Sequence, residues 1–182
     1  MTELRLLTLV GSLRKTSINQ QLLSAWAERL PPTVSTLPFS LAEIPLYNAD
    51  LDEPPAVAAL KQAVSDCHGV VIATPEYNYG IPGVLKNALD WASRPAYKSA
   101  FVRKPVGIMG AAPGAVGTAR AQGQLKEVLL GMLAELYPCP ELAVGMSGTK
   151  FDATGHVLDA ALDTQLTRHA LEFAQWVKTH SA

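Results

Sequence analysis

The sequence predicts an α/β protein in which five parallel strands form one sheet with helices packed on both faces. Short apolar runs alternate along the 182-residue chain with longer stretches in which apolar residues recur every three or four positions. The short runs are apolar throughout, as in strands buried on both faces, and the intervening helices make right-handed crossovers between parallel neighbours. Five-stranded sheets of this doubly wound type commonly have the order 2-1-3-4-5. We therefore predict a three-layer sandwich with that order.

The first half of the chain supplies three of the predicted strands. The run LRLLTLV predicts the first strand at Leu4–Val10. Apolar residues at helical spacing then predict a helix from about Ser17 to Arg29, because two prolines end the pattern. A weaker strand near Val34–Leu37 follows, and a proline-punctuated loop leads to a helix near Ala56–Ser65. The continuous apolar run Gly69–Ala73 is the third strand.

The second half continues the same alternation without a linker or a low-complexity segment. Residues 1–182 are therefore predicted to form a single domain. The remaining elements are a helix at about Gly83–Ser93, a strand at Pro105–Ala111, a helix at about Thr118–Leu136, a short strand near Leu142–Val144 and a final helix at about Leu158–Lys178. In a sheet of this order the ligand crevice lies at the carboxyl ends of strands 1 and 3, so loops 11–18, 74–82 and 111–117 are expected to meet there.

The composition favours a protein of the reducing cytoplasm that binds neither nucleic acid nor membrane. The chain has 15 Lys and Arg against 16 Asp and Glu, which removes the strong basic field typical of nucleic-acid and anionic-membrane binders. No apolar run reaches the roughly 18 residues of a membrane helix, and the first residues lead directly into a strand pattern rather than a signal peptide. The two cysteines, Cys67 and Cys139, are too few for a disulfide scaffold.

The loop after the first strand has the composition of a phosphate site. It lies where an α/β protein presents a helix N-terminus with free backbone N–H groups. An N-cap would account for one hydroxyl only, whereas this loop adds several hydroxyls and two cations. The spacings of nucleotide triphosphatase and dinucleotide loops are absent, which favours a terminal phosphomonoester of the kind found on FMN. The polar residues of the loop are Ser12, Arg14, Lys15, Thr16, Ser17 and Asn19.

The loop after the third strand predicts a frame for a planar ring. Residues 74–83 contain two prolines and two glycines, which fix and bend the backbone and help to direct main-chain N–H groups toward a ligand. Tyr77 and Tyr79 supply aromatic faces. On this segment alone, a proline- and glycine-rich loop whose tyrosines only pack against the protein is the alternative.

Together, the segments GSLRKTSIN (residues 11–19) and TPEYNYGIPGVLKNALDW (residues 74–91) resemble the NAD(P)H-dependent FMN reductase family, particularly its quinone and chromate reductase branch. The resemblance implies a flavodoxin-like fold, FMN as cofactor and NAD(P)H as co-substrate. It also implies three groups of binding residues. The FMN phosphate would be held by Ser12, Arg14, Ser17, Ile18 and Asn19, the isoalloxazine would lie along Pro75, Glu76, Tyr77 and Asn78, and the third loop would close over the flavin through Gly110, Ala111, Ala112 and Gly114.

Two positions depart from the family pattern. Ala112 stands where relatives often have a serine or threonine, so backbone N–H groups of the third loop would have to replace that hydroxyl. Gly123 stands where some relatives have an aromatic residue on a helix that joins dimers into tetramers. The resemblance implies a homodimer with the flavin at the interface and the partner's loop 44–50 as a wall of the acceptor pocket, with a homotetramer as the larger assembly.

The function implied is hydride transfer from NADH or NADPH to FMN, followed by ping-pong reduction of a quinone or another small acceptor. Free flavin, chromate and azo dyes are further candidate acceptors. No catalytic side chain is predicted, because the flavin carries the chemistry and the protein supplies binding and orientation. Two alternatives remain open. One is an electron carrier resembling flavodoxin, although such carriers are usually strongly acidic; the other is a protein that binds flavin or another phosphorylated metabolite without turnover.

Other functions of α/β proteins need residues that this sequence lacks. The hydrolase motif G-x-S-x-G is absent, since Thr149 follows Gly145-Met146-Ser147-Gly148. Neither Cys67 nor Cys139 has the arginine six positions later that a cysteine phosphatase requires. A phospho-accepting signalling domain would need acidic residues after strands 1 and 3, where Gly11-Ser12 and Thr74-Pro75 stand. The four histidines show no metal-ligand spacing, so no metal site is predicted.

Overall fold

The computed structural model describes residues 4–180 and contains a parallel sheet with the predicted order 2-1-3-4-5. The central strands are fully buried, as their continuous apolar runs predict. The strands are β1 (Leu4–Val10), β2 (Val34–Phe39), β3 (Gly69–Ala73), β4 (Pro105–Ala111), β5 (Glu135–Leu136) and β6 (Leu142–Val144). Both β5 and β6 pair with β4 and together fill the fifth position of the sheet.

The helices cover the two faces of the sheet in separate layers. Leu22 and Trp26 of the first helix pack with Phe173 of the last helix on one face, and the three middle helices bury their apolar residues against the other face. The helices are α1 (Ile18–Ala27), α2 (Pro55–Asp66), α3 (Gly83–Ala92), α4 (Ala119–Gly131) and α5 (Ala160–His180). Among residues 4–180, none of these helices has the length and hydropathy needed to cross a membrane.

The last turn of the helix predicted at Thr118–Leu136 is wrong. The helix ends at Gly131, and Leu133 adopts a left-handed conformation with φ 60°. The N–H of Ala134 donates back to the carbonyl of Leu129 (3.0 Å), so the chain turns out of the helix. The apolar residues continue at helical spacing through Leu136, which is why periodicity alone could not locate the end of the helix.

The fifth position of the sheet is divided because two prolines interrupt it. β5 pairs with the start of β4, and β6 pairs with its end at Met109–Ala111. Pro138 and Pro140 lie between β5 and β6, and proline cannot donate a main-chain hydrogen bond to a strand ladder. The chain therefore leaves the sheet edge for five residues and returns to it.

The carboxyl edge of the sheet brings together the loops that carry the predicted site. We call residues 11–17 the first loop, residues 74–82 the second loop and residues 112–118 the third loop, which follow β1, β3 and β4. A fourth segment, residues 145–147, follows β6 and is called the β6 turn. Because all the strands are parallel, these four segments emerge at the same edge.

Candidate functional site

The first loop exposes main-chain N–H groups that have no partner in the described part of the chain. Its start is fixed by the N–H of Gly11, which donates to the carbonyl of Ala73 (2.9 Å). Within the loop, the N–H of Ser17 donates to the carbonyl of Arg14 (3.1 Å). Such a run of open donors at a helix N-terminus favours an anion. Within residues 4–180, no hydrogen bond is made by the N–H groups of Ser12, Leu13, Lys15, Thr16, Ile18 and Asn19.

Two cations and a hydroxyl accompany these donors. Arg14 and Lys15 are exposed, and neither makes an ion pair within residues 4–180. Ser17 is buried directly before α1, yet its side chain makes no capping hydrogen bond to the helix. The first loop therefore combines positive charge, open N–H groups and an uncommitted hydroxyl, which together suit a phosphate.

The side chain of Asn19 is hydrogen-bonded within the protein and is therefore not open to a phosphate. Its side chain is 1% exposed and bonds both main-chain groups of Ala111 at the end of β4. The amide Nδ2 donates to the carbonyl of Ala111 (3.0 Å), and Oδ1 accepts the N–H of Ala111 (2.8 Å). The side chain thus ties α1 to β4, and the main-chain N–H of Asn19 is the group left for an anion.

The second loop is a tight hairpin with two exposed aromatic rings. The N–H of Tyr77 donates to the carbonyl of Gly80 (3.0 Å), and the N–H of Gly80 donates back to Tyr77 (3.1 Å). Asn78 and Tyr79 between them have φ of 50° and 68°, as in the primed turns that connect two-residue hairpins. Pro75 is buried beneath the hairpin, whereas the rings of Tyr77 and Tyr79 face solvent.

Glu76 fastens the second loop to the N-terminus of α4. One carboxylate oxygen accepts the N–H groups of Arg120 and Ala121 (both 3.0 Å), and the other accepts a guanidinium N–H of Arg120 (3.1 Å). Burial by itself raises the pKa of Glu76, but the N–H of Ala121 and the bonds from Arg120 outweigh it and lower the pKa below its usual value. The carboxylate is therefore used within the protein as a helix cap.

Two further contacts hold the hairpin on α4. The guanidinium of Arg120 lies over the ring of Tyr79, 4.6 Å from its centroid. The amide Oε1 of Gln124 accepts the N–H of Ile81 (2.7 Å), and a Cβ on Gly80 would lie 2.7 Å from that same oxygen. Only glycine fits here without moving Gln124, so Gly80 allows the hairpin to pack closely against this side chain of α4.

Just before the third loop, β4 contains a glycine, Gly110, whose missing side chain allows close packing. A Cβ on Gly110 would lie 2.2 Å from the carbonyl oxygen of Thr74 and 2.3 Å from Oγ1 of Thr118. Gly110 and Ala111 are buried, and the N–H of Ala112 donates to the carbonyl of Val144 (3.0 Å). The N–H of Ala112 is thus not available to replace the missing hydroxyl at that position.

The exposed donors that remain in the third loop are three consecutive N–H groups. Those of Gly114, Ala115 and Val116 make no hydrogen bond to any residue between 4 and 180. All three residues are exposed at the carboxyl edge of the sheet. They are the N–H groups of this loop that a bound ring could use.

The structure brings every predicted site residue to one edge, but it divides them into two groups. The residues that present open groups are Ser12, Arg14, Ser17, Ile18, Tyr77, Asn78 and Gly114. Those engaged with other parts of the protein are Asn19, Pro75, Glu76, Gly110, Ala111 and Ala112. Contact with a ligand stays a prediction for all of them. Arg120 and Gln124 could not be predicted as part of the site, because nothing local in the sequence connects these α4 residues to a hairpin more than forty positions earlier. Within residues 4–180, no three His, Cys, Asp or Glu side chains converge as a metal site would require.

Known proteins match this arrangement along nearly the whole chain. The family model for NADPH-dependent FMN reductases matches residues 4–149. This chain belongs to the NADPH-dependent FMN reductase family. A 2-hydroxy-1,4-benzoquinone reductase from a Burkholderia species is 39% identical over 177 residues, covering 96% of this chain and 97% of that relative. A quinone reductase from Escherichia coli K12 is 38% identical over 183 residues, covering 97% and 96%.

A solved structure agrees with this FMN reductase in fold and in length. FerB, a flavoenzyme NAD(P)H:(acceptor) oxidoreductase from Paracoccus denitrificans, superposes with a TM-score of 0.91 at 32% identity, covering 98% of this chain and 99% of that one. The predicted family, flavodoxin-like fold and cofactor are confirmed, and the chain is an NAD(P)H-dependent oxidoreductase that uses FMN.

The residues of this FMN reductase fit the cofactor of its family. A flavin mononucleotide has a doubly charged phosphate at one end and a planar ring with carbonyl groups at the other. The first loop offers unpaired N–H groups and the cations Arg14 and Lys15 to a phosphate. The hairpin of the second loop and the open N–H groups of Gly114, Ala115 and Val116 offer a flat surface and donors to a ring.

Proposed function

We propose that this FMN reductase takes hydride from NADH or NADPH and passes the electrons to a quinone in a second, separate half-reaction. One observation carries the proposal: an open anion site at the first loop lies beside a ring frame that is already braced by Asn19, Glu76 and Gly110. The names of two relatives, a 2-hydroxy-1,4-benzoquinone reductase and a quinone reductase, support quinones as the acceptor class. Free flavin, chromate and azo dyes are the secondary candidates.

The mechanism needs little acid–base chemistry from the protein. Bound FMN supplies the hydride acceptance and the onward electron transfer. We propose that Arg14, Ser12, Ser17 and the N–H groups of Ile18 and Asn19 hold the phosphate through charge-assisted hydrogen bonds.

The ring is proposed to lie against the second loop, along Pro75, Tyr77 and Asn78. Glu76 takes no direct part in this assignment, because its carboxylate caps α4 and keeps the hairpin in place. The N–H groups beginning at Gly114 would donate to the ring edge, where negative charge increases on reduction. The end of β4 supports this frame, through the close packing at Gly110 and the hydrogen bonds between Asn19 and Ala111.

Anaerobic mixing experiments separate this proposal from its alternatives. The purified protein should be yellow, should bleach rapidly with NADPH or NADH, and should recover its colour when a benzoquinone is added. Steady-state kinetics should give parallel double-reciprocal lines, because one open flavin face must serve both substrates in turn. Slow or absent bleaching of a yellow protein would support a flavodoxin-like carrier. A protein that binds no FMN would support the non-catalytic alternative, and intersecting lines would contradict the ping-pong order.

We further propose that the active species is a homodimer. The loop at residues 44–50 is fixed on α3, since the carbonyl of Pro45 accepts N–H groups from Asn87 and Trp91 (both 2.8 Å). The ring of Tyr47 packs against Trp91, with 4.9 Å between the ring centroids. Leu46, which lies between Pro45 and Tyr47 in the chain, is 84% exposed. A rigid loop that displays an apolar side chain suits a wall for the partner's acceptor pocket.

Sedimentation tests this assembly. Wild-type protein at micromolar concentration should sediment as a dimer of the 19.4 kDa chain, and Leu46→Glu should weaken the dimer and the quinone reduction together. A monomer with full quinone reductase activity would contradict the shared site. Gly123 is exposed with nothing near its Cβ position, so we propose a dimer rather than a tetramer.

We also propose that residues 1–182 act as one FMN-binding domain in the cytoplasm. Both cysteines are free thiols, with Cys67 buried and Cys139 partly buried, which suits a reducing compartment. Cell fractionation with a cytoplasmic marker tests the location, and recovery of the activity in another fraction would contradict it.

A further inference from the structure

Two residues of the β6 turn donate main-chain hydrogen bonds to the third loop. The N–H of Met146 donates to the carbonyl of Gly114 (3.1 Å), and the N–H of Ser147 donates to the carbonyl of Ala112 (3.2 Å). Directly before the turn, the carbonyl of Val144 accepts the N–H of Ala112 (3.0 Å). Two main-chain hydrogen bonds from the β6 turn and a third at the end of β6 thus hold the third loop. No motif in the sequence connects this segment with the site.

Glycines allow the two segments to approach this closely. A Cβ on Gly145 would lie 2.2 Å from the carbonyl oxygen of Ala115, which no side chain can occupy without moving the third loop. From the other side, Gly117 has φ +66°, and its Cβ would lie 2.7 Å from the carbonyl oxygen of Ala143. Gly148 differs from both, since a Cβ there would meet nothing within 4 Å.

Met146 has a backbone conformation that needs support. Its φ of 50° and ψ of 38° lie in the left-handed region, which residues other than glycine and asparagine seldom adopt. The conformation is held by the bond from its N–H to Gly114 and by Thr149, whose N–H and hydroxyl both donate to its carbonyl (3.1 and 3.0 Å). Strain of this kind persists where the surroundings require it, often at functional sites.

The contacts decide which donors of the third loop remain open. The N–H of Ala112 is taken by Val144, and the N–H of Gly117 is taken by the carbonyl of Gly114. The carbonyl of Gly114 accepts the N–H groups of both Met146 and Gly117, and the carbonyl of Ala115 lies against Gly145, so the peptide groups of residues 114–116 have a fixed orientation. The three consecutive N–H groups at residues 114–116 are left without partners in the described chain.

We propose that the β6 turn is a positioning element of the flavin site, and that it sets the reduction potential of bound FMN through the third loop. N–H groups held in place before the reaction stabilise negative charge as it develops, without reorganisation. They therefore favour the reduced flavin, which is richer in electrons than the oxidised one. Displacing Gly114, Ala115 and Val116 would make the potential more negative. The inference rests on the proposed function, because it requires FMN at this edge.

Gly145→Ala tests the proposal against Gly148→Ala as its matched control. Hydrogen exchange on the protein without flavin reports the contact between the two segments. The hydrogen-bonded amides of Ala112, Gly117, Met146 and Ser147 should exchange about tenfold faster in Gly145→Ala than in the wild type or the control. With FMN bound, Gly145→Ala should show a more negative midpoint potential against reference dyes and an FMN affinity weakened about tenfold. The Gly148→Ala protein should match the wild type in all three measurements.

A second variant keeps the test decisive if Gly145→Ala fails to fold. Met146→Val keeps the N–H that bonds Gly114, but a β-branched residue is strained in the left-handed conformation that this bond requires. The same four amides should again exchange faster, and the midpoint potential should move in the same direction by a smaller amount.

The outcomes separate the two proposals. A lowered melting temperature with unchanged exchange in the third loop and an unchanged potential would mean that the β6 turn has a structural role only, which overturns the inference. Wild-type protein that binds no FMN would instead overturn the proposed function, whatever the exchange data show. Faster exchange in Gly145→Ala without any change in potential would also contradict the inference, because the loop would then move without affecting the flavin.

Discussion

The first loop differs from the second and third loops, at the same edge of the sheet, in how firmly it is attached to the rest of the protein. The first loop leaves its N–H groups and the charges of Arg14 and Lys15 without partners in the described structure. The second and third loops are braced instead: Glu76 joins the second loop to α4, and the close packing at Gly110 joins both loops to β4. The third loop still keeps open N–H groups at residues 114–116. The anchor for a charged group is left open, whereas the frame for a ring is assembled before any ligand arrives.

The difference has an energetic reason. A phosphate brings its own charge and replaces the water on the first loop, so the ligand itself supplies the interactions that order this segment. A neutral ring gains little free energy from each contact. Its frame must therefore be rigid before binding, because ordering the protein would cancel much of the binding free energy. Substitutions in the first loop should therefore change affinity, and substitutions in the braced loops should change folding.

Gly110→Ala should have the largest effect and should act on folding. Its Cβ would overlap both Thr74 and Thr118, and neither neighbour can move, because one is backbone and the other a buried side chain. We expect a loss of at least about 3 kcal/mol in the free energy of unfolding, measured by urea denaturation without flavin. Gly123→Ala is the control, since the exposed Gly123 has open space at its Cβ and alanine favours a helix by about 1 kcal/mol. Equal stability of the two variants would contradict the close packing at Gly110.

Arg14→Ala should leave folding unchanged and weaken FMN binding. Hydrogen bonds to charged groups contribute roughly 1.5–3 kcal/mol, so the dissociation constant for FMN should rise by about 10- to 150-fold. Riboflavin, which lacks the phosphate, should bind the variant and the wild type almost equally. Arg103→Ala, which removes an exposed cation just before β4 at the opposite edge, is the control. Equal losses for FMN and riboflavin would place Arg14 away from the phosphate.

The same division explains what could be predicted from the sequence. The chemistry of the first loop is local, because its hydroxyls and cations are consecutive residues, and the predicted strand order follows from runs such as Gly69–Ala73 that are apolar throughout. The bracing is not local. Glu76 reaches Arg120 across 44 positions, and Asn19 reaches Ala111 across 92.

For that reason Asn19 and Glu76 were expected to face the ligand, although their side chains serve the frame. A carboxylate or amide in a binding motif has the same sequence signature whether it points to a ligand or to the backbone. The split of the fifth strand was missed for a related reason. The stripe of apolar residues through Leu136 fits a helix and a strand equally well. Pro138 and Pro140 interrupt the chain only beyond Leu136, so they do not mark the end of the helix at Gly131.

Glu76→Ala should reduce stability by about 1–2 kcal/mol at neutral pH, because α4 loses its cap and the second loop loses its attachment. The pKa of Glu76 is lower in the folded protein than in the unfolded chain, so the carboxylate stabilises the fold above its unfolded pKa of about 4.5. That stabilisation is lost as the pH falls through the lower pKa of the folded state. Urea denaturation from pH 7 to pH 3 should therefore show the two proteins converging at acid pH. Glu127→Ala, on the exposed side of α4, is the control, and a difference that does not shrink as the pH falls would mean that the charge of Glu76 is not responsible.

Lys15→Ala should have the smallest effect, and its salt dependence distinguishes a nearby charge from a direct ligand. An exposed ammonium that attracts the phosphate through water contributes about 0.5 kcal/mol or less, so FMN should bind two- to threefold more weakly at low ionic strength. At roughly 0.5 M salt the screening length is only about 4 Å, and the difference from the wild type should disappear. Lys178→Ala, in the last turn of α5, should bind FMN as the wild type does at every salt concentration. A loss at Lys15 that survived high salt would show a direct, partly dehydrated contact like the one proposed for Arg14, and the first loop would then hold the phosphate with two cations instead of one.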